Sequence, residues 1–343
     1  MNIPRQIYYS LRSLDRRRKL VPMPIQSFNF EVTRVCNGRC VYCDIWKTPN
    51  QQNEISIYQI RKGLQPLRFL EKTRVIGLTG GEPALRKDII ELAMILKTVC
   101  PNAQFSMVSN GLATERILSV MTELRRVDKN VTISISIDGL EETDSLLRGD
   151  PTHFQKAWKT VHALRAKGFS VCIGSMVTPK NIDELERLSD ECVAHGIKHI
   201  LMVVNKSRHY YANHNNTELQ ALQQIDTVKL KKIIKKINQN YHHYYLPKYL
   251  RNPRQMFPCF SGFTSFFLNA VGNVYPCIHL DHCLGNITQQ TLGEVWNSDY
   301  AQQIRYSIVK KYCHCYTPCE TQGWLMANIF PKIIRGLAVK LGD

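Results

Sequence analysis

No stretch of roughly eighteen or more uncharged apolar residues occurs in this 343-residue sequence, so no segment is long enough to cross a bilayer as a helix. The basic N-terminal residues lack the apolar region and the small-residue cleavage site of a secretory signal. Internal repeats and low-complexity segments are also absent. With 44% apolar and 21% charged residues, the composition is that of a globular protein with one large core or two smaller ones.

Acidic residues are scarce: 28 Asp and Glu stand against 45 Lys and Arg, which gives a net charge of +17. A nucleic-acid-binding protein would be expected to interleave aromatic and basic residues or to show a known binding fold. Neither pattern occurs, so nucleic acid is not an expected partner. The basic stretches at residues 5–19, at 229–236 and in the C-terminal tail are interpreted as solvated faces that attract anions.

Cysteine, in contrast, is abundant, and half of its twelve residues lie in two clusters. One group lies within residues 36–43 and another within residues 313–319. Such clustering favours metal binding over a disulfide framework, and it predicts a protein of the reducing cytoplasm.

Short apolar segments alternate with longer amphipathic ones between residues 24 and 204. The predicted strands are residues 27–35, 73–80, 103–111, 131–138, 169–177 and 199–204. The predicted helices between them include residues 86–99, 114–127, 154–168 and 181–196. Strict alternation with apolar strands predicts an α/β protein with a parallel sheet covered by helices, arranged as a partial (β/α)6 TIM-like barrel.

The unusual residues all lie at the carboxyl ends of predicted strands. The three cysteines follow the first strand, GGEP (80–83) follows the second, SNG (109–111) ends the third and SIDG (136–139) ends the fourth. Because the carboxyl ends of parallel strands meet at one edge, these residues are expected to form one site.

Three cysteines, Cys36, Cys40 and Cys43, are one ligand short of a structural zinc site. The next cysteine, Cys100, is distant, and no histidine lies between it and Cys43. A [4Fe–4S] cluster explains the number, since three cysteines leave one iron open to a small ligand.

The pattern C-x3-C-x-aromatic-C, with Tyr42 as the aromatic residue, resembles the signature of the radical S-adenosylmethionine (SAM) superfamily. The resemblance extends to the GGEP turn, to SISIDG (134–139) and to the Arg148-Gly149 pair. It implies that SAM binds the open iron, and that cluster reduction cleaves SAM to a 5′-deoxyadenosyl radical, which abstracts hydrogen from a substrate. A reductase, flavodoxin or ferredoxin is the implied electron donor.

The resemblance also assigns residues around SAM. Gly80 and Gly81 would let the backbone approach the ligand, and Glu82 would hold its amino group. Arg148 would bind the carboxylate, although it is also suited to capping a helix. The remaining implied contacts are Tyr42 beside the adenine, Ser136 and Asp138 at the ribose (with a turn as the alternative for Asp138), and Asn110 from the third strand.

Residues 259–319 differ in character, with short strands, glycine turns and six cysteines. They resemble the SPASM/twitch extension of radical SAM enzymes, which carries auxiliary [4Fe–4S] clusters. Six cysteines are fewer than the roughly eight that two clusters need, so one auxiliary cluster is expected, with zinc as the alternative. The expected ligands are Cys259, Cys277, Cys315 and Cys319, with Cys313 as the competitor, and Asp281 is the candidate proton acceptor.

The domain organisation follows from these assignments. We predict a basic amphipathic segment (1–23), the radical SAM barrel (24–204), a helical connection (205–258), the auxiliary-cluster domain (259–319) and an amphipathic C-terminal helix (320–343). The two amphipathic ends either pack against the barrel or contact an anionic membrane surface peripherally. The 23 residues before the barrel are too few for the leader-binding domain that peptide-modifying members often carry.

The predicted function is a radical SAM enzyme that acts on a peptide or a small polar metabolite, with the auxiliary cluster aiding oxidation or substrate binding. The alternative is a non-catalytic iron–sulfur or zinc scaffold that binds an anionic partner or a membrane surface. A scaffold would not need GGEP, SIDG and Arg148 on one edge.

Overall fold

The computed structural model describes residues 3–48, 54–65, 67–216, 222–237, 241–255, 258–310 and 315–317. Within them, nine strands form one sheet in the order β6-β5-β4-β3-β2-β1-β7-β8-β9. The strands are β1 (Ser27–Thr33), β2 (Val75–Gly80), β3 (Gln104–Ser109), β4 (Thr132–Ser136), β5 (Ser170–Val177), β6 (Lys198–Val203), β7 (Ser265–Leu268), β8 (Asn273–Tyr275) and β9 (Gly285–Asn286).

Helices follow the strands as the apolar periodicity predicts. They are α1 (Ile3–Arg18), α2 (Ile57–Gly63), α3 (Ile89–Val99), α4 (Thr114–Val127), α5 (Glu141–Arg148), α6 (His153–Ala166), α7 (Ile182–Ala194), α8 (Thr227–Lys236), α9 (Tyr241–Arg251), α10 (Leu292–Asn297) and α11 (Asp299–Val309). Strands β1 to β6 are parallel, which confirms the predicted α/β partial barrel.

The two faces of the sheet differ in burial. Phe30, Leu78 and Ile133 lie on the outer, helix-covered face and have no exposed surface. The opposite, inner face carries small or polar residues that are half-buried, such as Ser106, and Val108 is 40% exposed. The concave inner face is therefore open to solvent.

The second domain is continuous with the barrel sheet, because β7 pairs in parallel with β1. The rings of Phe28 and Phe266 stack across this junction with centroids 4.6 Å apart. Strands β8 and β9 then add antiparallel to β7, so the auxiliary domain extends the barrel sheet. The sequence predicted a separate smaller domain and did not indicate this pairing.

Two histidines of α9 cover the free edge of β6. The Leu201 N–H donates to Nε2 of His243 at 3.0 Å, and Nε2 of His242 donates to the Leu201 carbonyl at 3.1 Å. The two imidazoles thus take the place of a neighbouring strand at this position. Burial lowers the pKa of His243 to about 4, so the ring is neutral and its Nε2 can accept.

This edge predicts a pH dependence of stability. The folded-state pKa of His243 lies below the unfolded value, so its contribution is complete above about pH 6.5 and is lost as the pH falls towards 4. We expect this histidine to account for about 2 kcal/mol of the unfolding free energy lost between pH 7 and pH 5. Urea unfolding at both pH values should show a smaller drop for His243→Gln than for the parent. The exposed control His162→Gln should show the parent's drop.

The N-terminal helix packs against the protein at its carboxyl end, where Arg17 is buried and Leu14 contacts the core. Leu11 on the same helix is 55% exposed. The side chains of Ile3 and Ile7, and the predicted C-terminal helix 320–343, lie outside the described residues. Among the described helices none has the length and apolarity needed to cross a membrane.

Candidate active site

The three N-terminal cysteines lie on one loop, the cysteine loop (residues 36–43), at the carboxyl edge of β1. A Cβ placed on Gly38 would lie 3.5 Å from Sγ of Cys36 and 3.8 Å from Sγ of Cys40, so both sulfurs face the same turn. The Gly38 N–H also donates to Cys36 Sγ at 3.3 Å, an interaction that stabilises a thiolate.

The donor set fits a polynuclear cluster. Burial raises the pKa of Cys36 to about 11 and also raises the pKa values of Cys40 and Cys43. These thiols become thiolates only with a metal centre to stabilise the negative charge. Within the described residues, no three His, Cys, Asp or Glu side chains converge on a single ion. Three thiols spread around a loop suit a cubane, whose ligands are farther apart.

The glycines of the rim have a packing role that the sequence did not indicate. A Cβ on Gly80 would overlap the Thr33 carbonyl, and a Cβ on Gly81 would overlap the Val35 carbonyl. These carbonyls belong to the chain leading into the cysteine loop, and they accept hydrogen bonds from the GGEP turn, including one from Gly81 N–H at 2.8 Å. In the structure the glycines therefore admit the protein's own backbone, and their predicted approach to a ligand stays untested.

Gly149 allows the backbone at Arg39, within the cysteine loop, to pack closely against it. Its φ is +68°, and a Cβ there would overlap the carbonyl oxygen of Arg39. Gly80 and Gly81 thus let the residues before the cysteine loop pack against the end of β2, and Gly149 lets the loop itself pack against the end of α5.

We expect Gly149→Ala to reduce cluster incorporation. Gly168 is the matched control, because its φ is +71° but nothing lies within 4 Å of an added Cβ. Both alanine variants should lose about 1–2 kcal/mol from the left-handed backbone. Only Gly149→Ala should also displace the loop, which iron per chain after anaerobic reconstitution would show. Equal iron contents in the two variants would contradict this role.

Asp138, Arg148 and Tyr42 form a buried network under the cysteine loop. Asp138 Oδ2 lies 2.8 Å from Arg148 Nε and accepts the Tyr42 hydroxyl at 2.5 Å, and Oδ1 accepts the Met176 N–H at 2.7 Å. Arg148 reaches the cluster site, with one terminal nitrogen 3.8 Å from Cys40 Sγ. Burial raises the pKa of Asp138, and the Arg148 guanidinium opposes that rise.

Both oxygens of the Asp138 carboxylate have protein partners. The carboxylate is 0% exposed and orients Arg148 and Tyr42, and its predicted contact with the ribose stays a prediction. Tyr42 is likewise buried with its hydroxyl in this network, and its place beside the adenine stays a prediction. The sequence signal for the pairing was absent, since Tyr42 and Asp138 lie 96 residues apart.

Glu82 is also fully buried. Its Oε2 accepts from the Ser109 hydroxyl at 3.0 Å and from the Asn110 N–H at 2.8 Å, and burial raises its pKa to about 7. Glu82 thus ties the GGEP turn to the end of β3. All its described contacts are with protein, so direct contact with an amino group stays a prediction.

Asn110 and Ser136 are better placed for a ligand. The Asn110 amide donates to Asn37 Oδ1 at 2.8 Å and lies 3.8 Å from Cys36 Sγ, at the edge of the cluster site. Ser136 ends β4 opposite Gly174 of β5 and is half-buried on the inner face. Its predicted ribose contact is compatible with this position and stays a prediction.

The auxiliary cysteines are held in thiolate-like surroundings. Cys259 Sγ accepts from Ser261 N–H at 3.4 Å, and Cys277 Sγ accepts from two backbone N–H groups at 3.3 and 3.4 Å. The two loops lie close together, because a Cβ built on Gly262 would lie at van der Waals distance, 3.5 Å, from Pro276 Cβ.

The other cysteines differ in burial. Cys313 and Cys319, two of the predicted auxiliary ligands, lie outside the described residues, whereas Cys315 is described and half-buried. Cys283 is exposed. The apolar segments around Cys100, Cys172 and Cys192 predict three core residues. Cys100 and Cys192 are buried in the core, whereas Cys172 is half-buried because it faces the inner side of the sheet.

A bridging segment (residues 205–216) covers the cysteine loop. The Asn213 amide donates to the Tyr42 carbonyl at 2.9 Å, and the Tyr211 carbonyl accepts the Asp44 N–H at 2.8 Å. The sequence predicted these residues only as part of the helical connection (205–258).

The same segment contacts the auxiliary loop. Ser207 donates to the Ile278 carbonyl at 2.7 Å, and Nε2 of His209 donates to the Cys277 carbonyl at 3.0 Å. Asp281 lies 3.6 Å from Nδ1 of His209, with 45% of its side chain exposed. Its role as a proton acceptor stays a prediction. One segment therefore connects the two predicted cluster sites.

Two protein families match the chain in these regions. Residues 30–192 match the radical SAM superfamily, and residues 259–321 match an iron–sulfur cluster-binding domain, SPASM. The first match covers the strands and turns around the cysteine loop. The second begins at Cys259.

Individual relatives have low sequence identity, but the alignments cover most of the chain. The sporulation killing factor maturation protein SkfB of Bacillus subtilis is 24% identical over 303 residues, which cover 87% of this chain and 70% of SkfB. An AdoMet-dependent heme synthase of Methanosarcina barkeri is 24% identical over 309 residues, which cover 80% of this chain and 83% of that enzyme. The structure of Streptococcus suis SuiB bound to its precursor peptide SuiA superimposes with a TM-score of 0.62 and 16% identity, over 86% of this chain and 70% of SuiB.

Proposed function

This chain belongs to the radical SAM superfamily and carries a SPASM iron–sulfur domain, and from that premise we propose that it modifies a peptide substrate. It is an enzyme that uses SAM, a [4Fe–4S] cluster and auxiliary iron–sulfur chemistry. The peptide assignment goes further, and the open inner face of the barrel is the observation that carries it.

The sheet does not close within the described residues, because β6 and β9 are its two edges and do not pair with each other. The sheet itself therefore does not enclose its inner face. Between these edges the inner face presents small residues, such as Ser106, Ser134 and Gly174. A peptide segment fits such a cleft better than a compact metabolite that would be enclosed on all sides.

Two of the similar proteins also support a peptide substrate. SkfB is named as a maturation protein for the sporulation killing factor, and SuiB is seen with a precursor peptide. The heme synthase is as similar in sequence, so a tetrapyrrole is the competing substrate class.

When bound, the cluster and SAM supply a carbon-centred radical that removes hydrogen from the substrate. The protein's residues do the rest. Cys36, Cys40 and Cys43 would ligate the cluster, and Arg148, held by Asp138, places a positive charge beside it. The cysteine loop and the bridging segment shield this edge from water.

We also propose a reducing compartment, the cytoplasm, and an external one-electron donor such as a flavodoxin, a ferredoxin or a reductase. Of the described cysteines, Cys36, Cys40, Cys43, Cys100, Cys172, Cys192 and Cys283 are free, which supports the first of these assignments.

The test uses the reconstituted enzyme with dithionite and SAM under anaerobic conditions. It is offered the short peptides encoded near its gene and, separately, iron-bound porphyrins. We expect a peptide mass change of one or more pairs of hydrogen atoms, together with 5′-deoxyadenosine. Modification of a porphyrin with no change in any peptide would overturn the proposal.

A further inference from the structure

Two buried arginines converge on the auxiliary turn (residues 259–264), which carries the first auxiliary cysteine. Arg17 of α1 donates from Nε to the Cys259 carbonyl at 2.7 Å, and Arg305 of α11 donates from Nε to the Gly262 carbonyl at 2.7 Å. Their exposed fractions are 7% and 2%. Arg17 also bonds to the Ile308 carbonyl, so α1 and α11 clamp this turn together.

The charge of Arg305 has no carboxylate partner in the described part of the chain, where none of the ion pairs includes it. Its guanidinium lies over the Trp296 ring, 4.9 Å from the centroid, and donates to the Trp296 carbonyl. Burial lowers its pKa to about 10, and no neighbouring anion opposes that shift. The group is still charged at neutral pH.

A buried cation without an anion destabilises a protein. The auxiliary turn is where an anion belongs, because a cubane held by thiolates carries a net negative charge. A Cβ built on Gly262, whose carbonyl accepts from Arg305, would lie 3.5 Å from Cβ of Pro276, next to Cys277. Arg305 therefore holds the turn that carries Cys259 at the point where this turn approaches the loop of Cys277.

We propose that Arg305, assisted by Arg17, is the buried counter-charge of the auxiliary cluster and raises that cluster's reduction potential. One-electron reduction adds a negative charge to the cluster, and a fixed cation in a low-dielectric surrounding stabilises the reduced form more than the oxidised one. A higher potential makes the cluster a better acceptor of the electron left on a substrate radical. The inference rests on the proposed function only in taking Cys259 and Cys277 as ligands.

The test isolates the auxiliary cluster in the full-length chain by replacing Cys36, Cys40 and Cys43 with alanine. Its midpoint potential is then measured by an EPR-monitored redox titration, with iron counted per chain. We expect Arg305→Gln to shift the potential downwards. Arg305→Lys, which retains the charge but loses the forked hydrogen bonds, should keep the potential near the parent value. Lys310→Gln removes an exposed charge one residue beyond α11 and should leave the potential unchanged.

An unchanged potential in Arg305→Gln at full iron content would overturn the proposal. An equal shift in Arg305→Gln and Arg305→Lys would also overturn it, because the shift would then come from the lost hydrogen bonds and not from the lost charge. Absence of iron from the chain that lacks only Cys36, Cys40 and Cys43 would overturn it as well. If Arg305→Gln does not fold, Arg17→Gln provides the second measurement, with a downward shift expected and an unchanged potential decisive against the proposal. None of these measurements depends on SAM cleavage or on a peptide, so the proposed function can fail separately.

Discussion

The Cys40→Ala variant should cleave no SAM above the level of the reaction without protein. Cys40 is the middle cysteine of the cysteine loop and a predicted cluster ligand, and its sulfur lies 3.8 Å from the Arg148 guanidinium. Two remaining cysteines cannot hold a cubane with one open iron, so iron should fall by about four per chain. Chromatographic measurement of 5′-deoxyadenosine after dithionite addition, together with iron analysis, checks both effects.

Cys192→Ala is the control for this prediction. Cys192 is a buried core residue on α7, so its replacement should leave both 5′-deoxyadenosine and iron at the parent values. If Cys40→Ala retained both, the catalytic cluster would be bound elsewhere and the assignment of the cysteine loop would be wrong.

The second large effect is expected at the buried ion pair of Asp138 and Arg148. Asp138→Asn leaves a buried guanidinium without its anion and replaces one accepting oxygen by an amide donor that faces other donors, so we expect a loss of about 3–5 kcal/mol in unfolding free energy. SAM cleavage should fall with it, because Arg148 and Tyr42 lose their orientation. Urea unfolding and 5′-deoxyadenosine formation measure the two consequences.

A double-mutant cycle identifies the cause. Arg148→Met combined with Asp138→Asn should cost less stability than the sum of the single changes, because the double variant buries no unpaired charge. The exposed pair of Arg126 and Glu123, whose side chains are 73% and 40% exposed, is the control. Glu123→Gln should cost less than about 1 kcal/mol. Additive effects at the buried pair would show that Asp138 does not hold Arg148.

The prediction of the barrel succeeded because its evidence is local. Each predicted strand overlaps an observed one. The apolar residues of the first predicted segment, including Phe28 and Phe30, are the ones buried beneath the helices in β1. Contacts around the two cluster sites could not be predicted where the residues involved are distant in sequence. Arg17 and Cys259, which share a hydrogen bond, are 242 residues apart, and no spacing rule connects them.

Asp138 shows that the sequence predicts the position of a residue more easily than the direction of its side chain. Its position after β4 placed it at the catalytic edge, but whether its carboxylate faces a ligand or Arg148 depends on where α5 packs. The direction of a side chain is set by the neighbours that exclude it from water, and those neighbours come from other elements.

The sequence by itself determined the chemistry of the catalytic edge, because cysteine spacing within one loop and residue types at strand ends are local properties. Only the tertiary structure decided how that chemistry is supported. It joined the auxiliary domain to the barrel through β7, directed the rim glycines towards backbone carbonyls, and buried Arg305 behind the auxiliary turn. Those outcomes follow from close packing and from the cost of burying charge, which act between residues regardless of their separation in sequence.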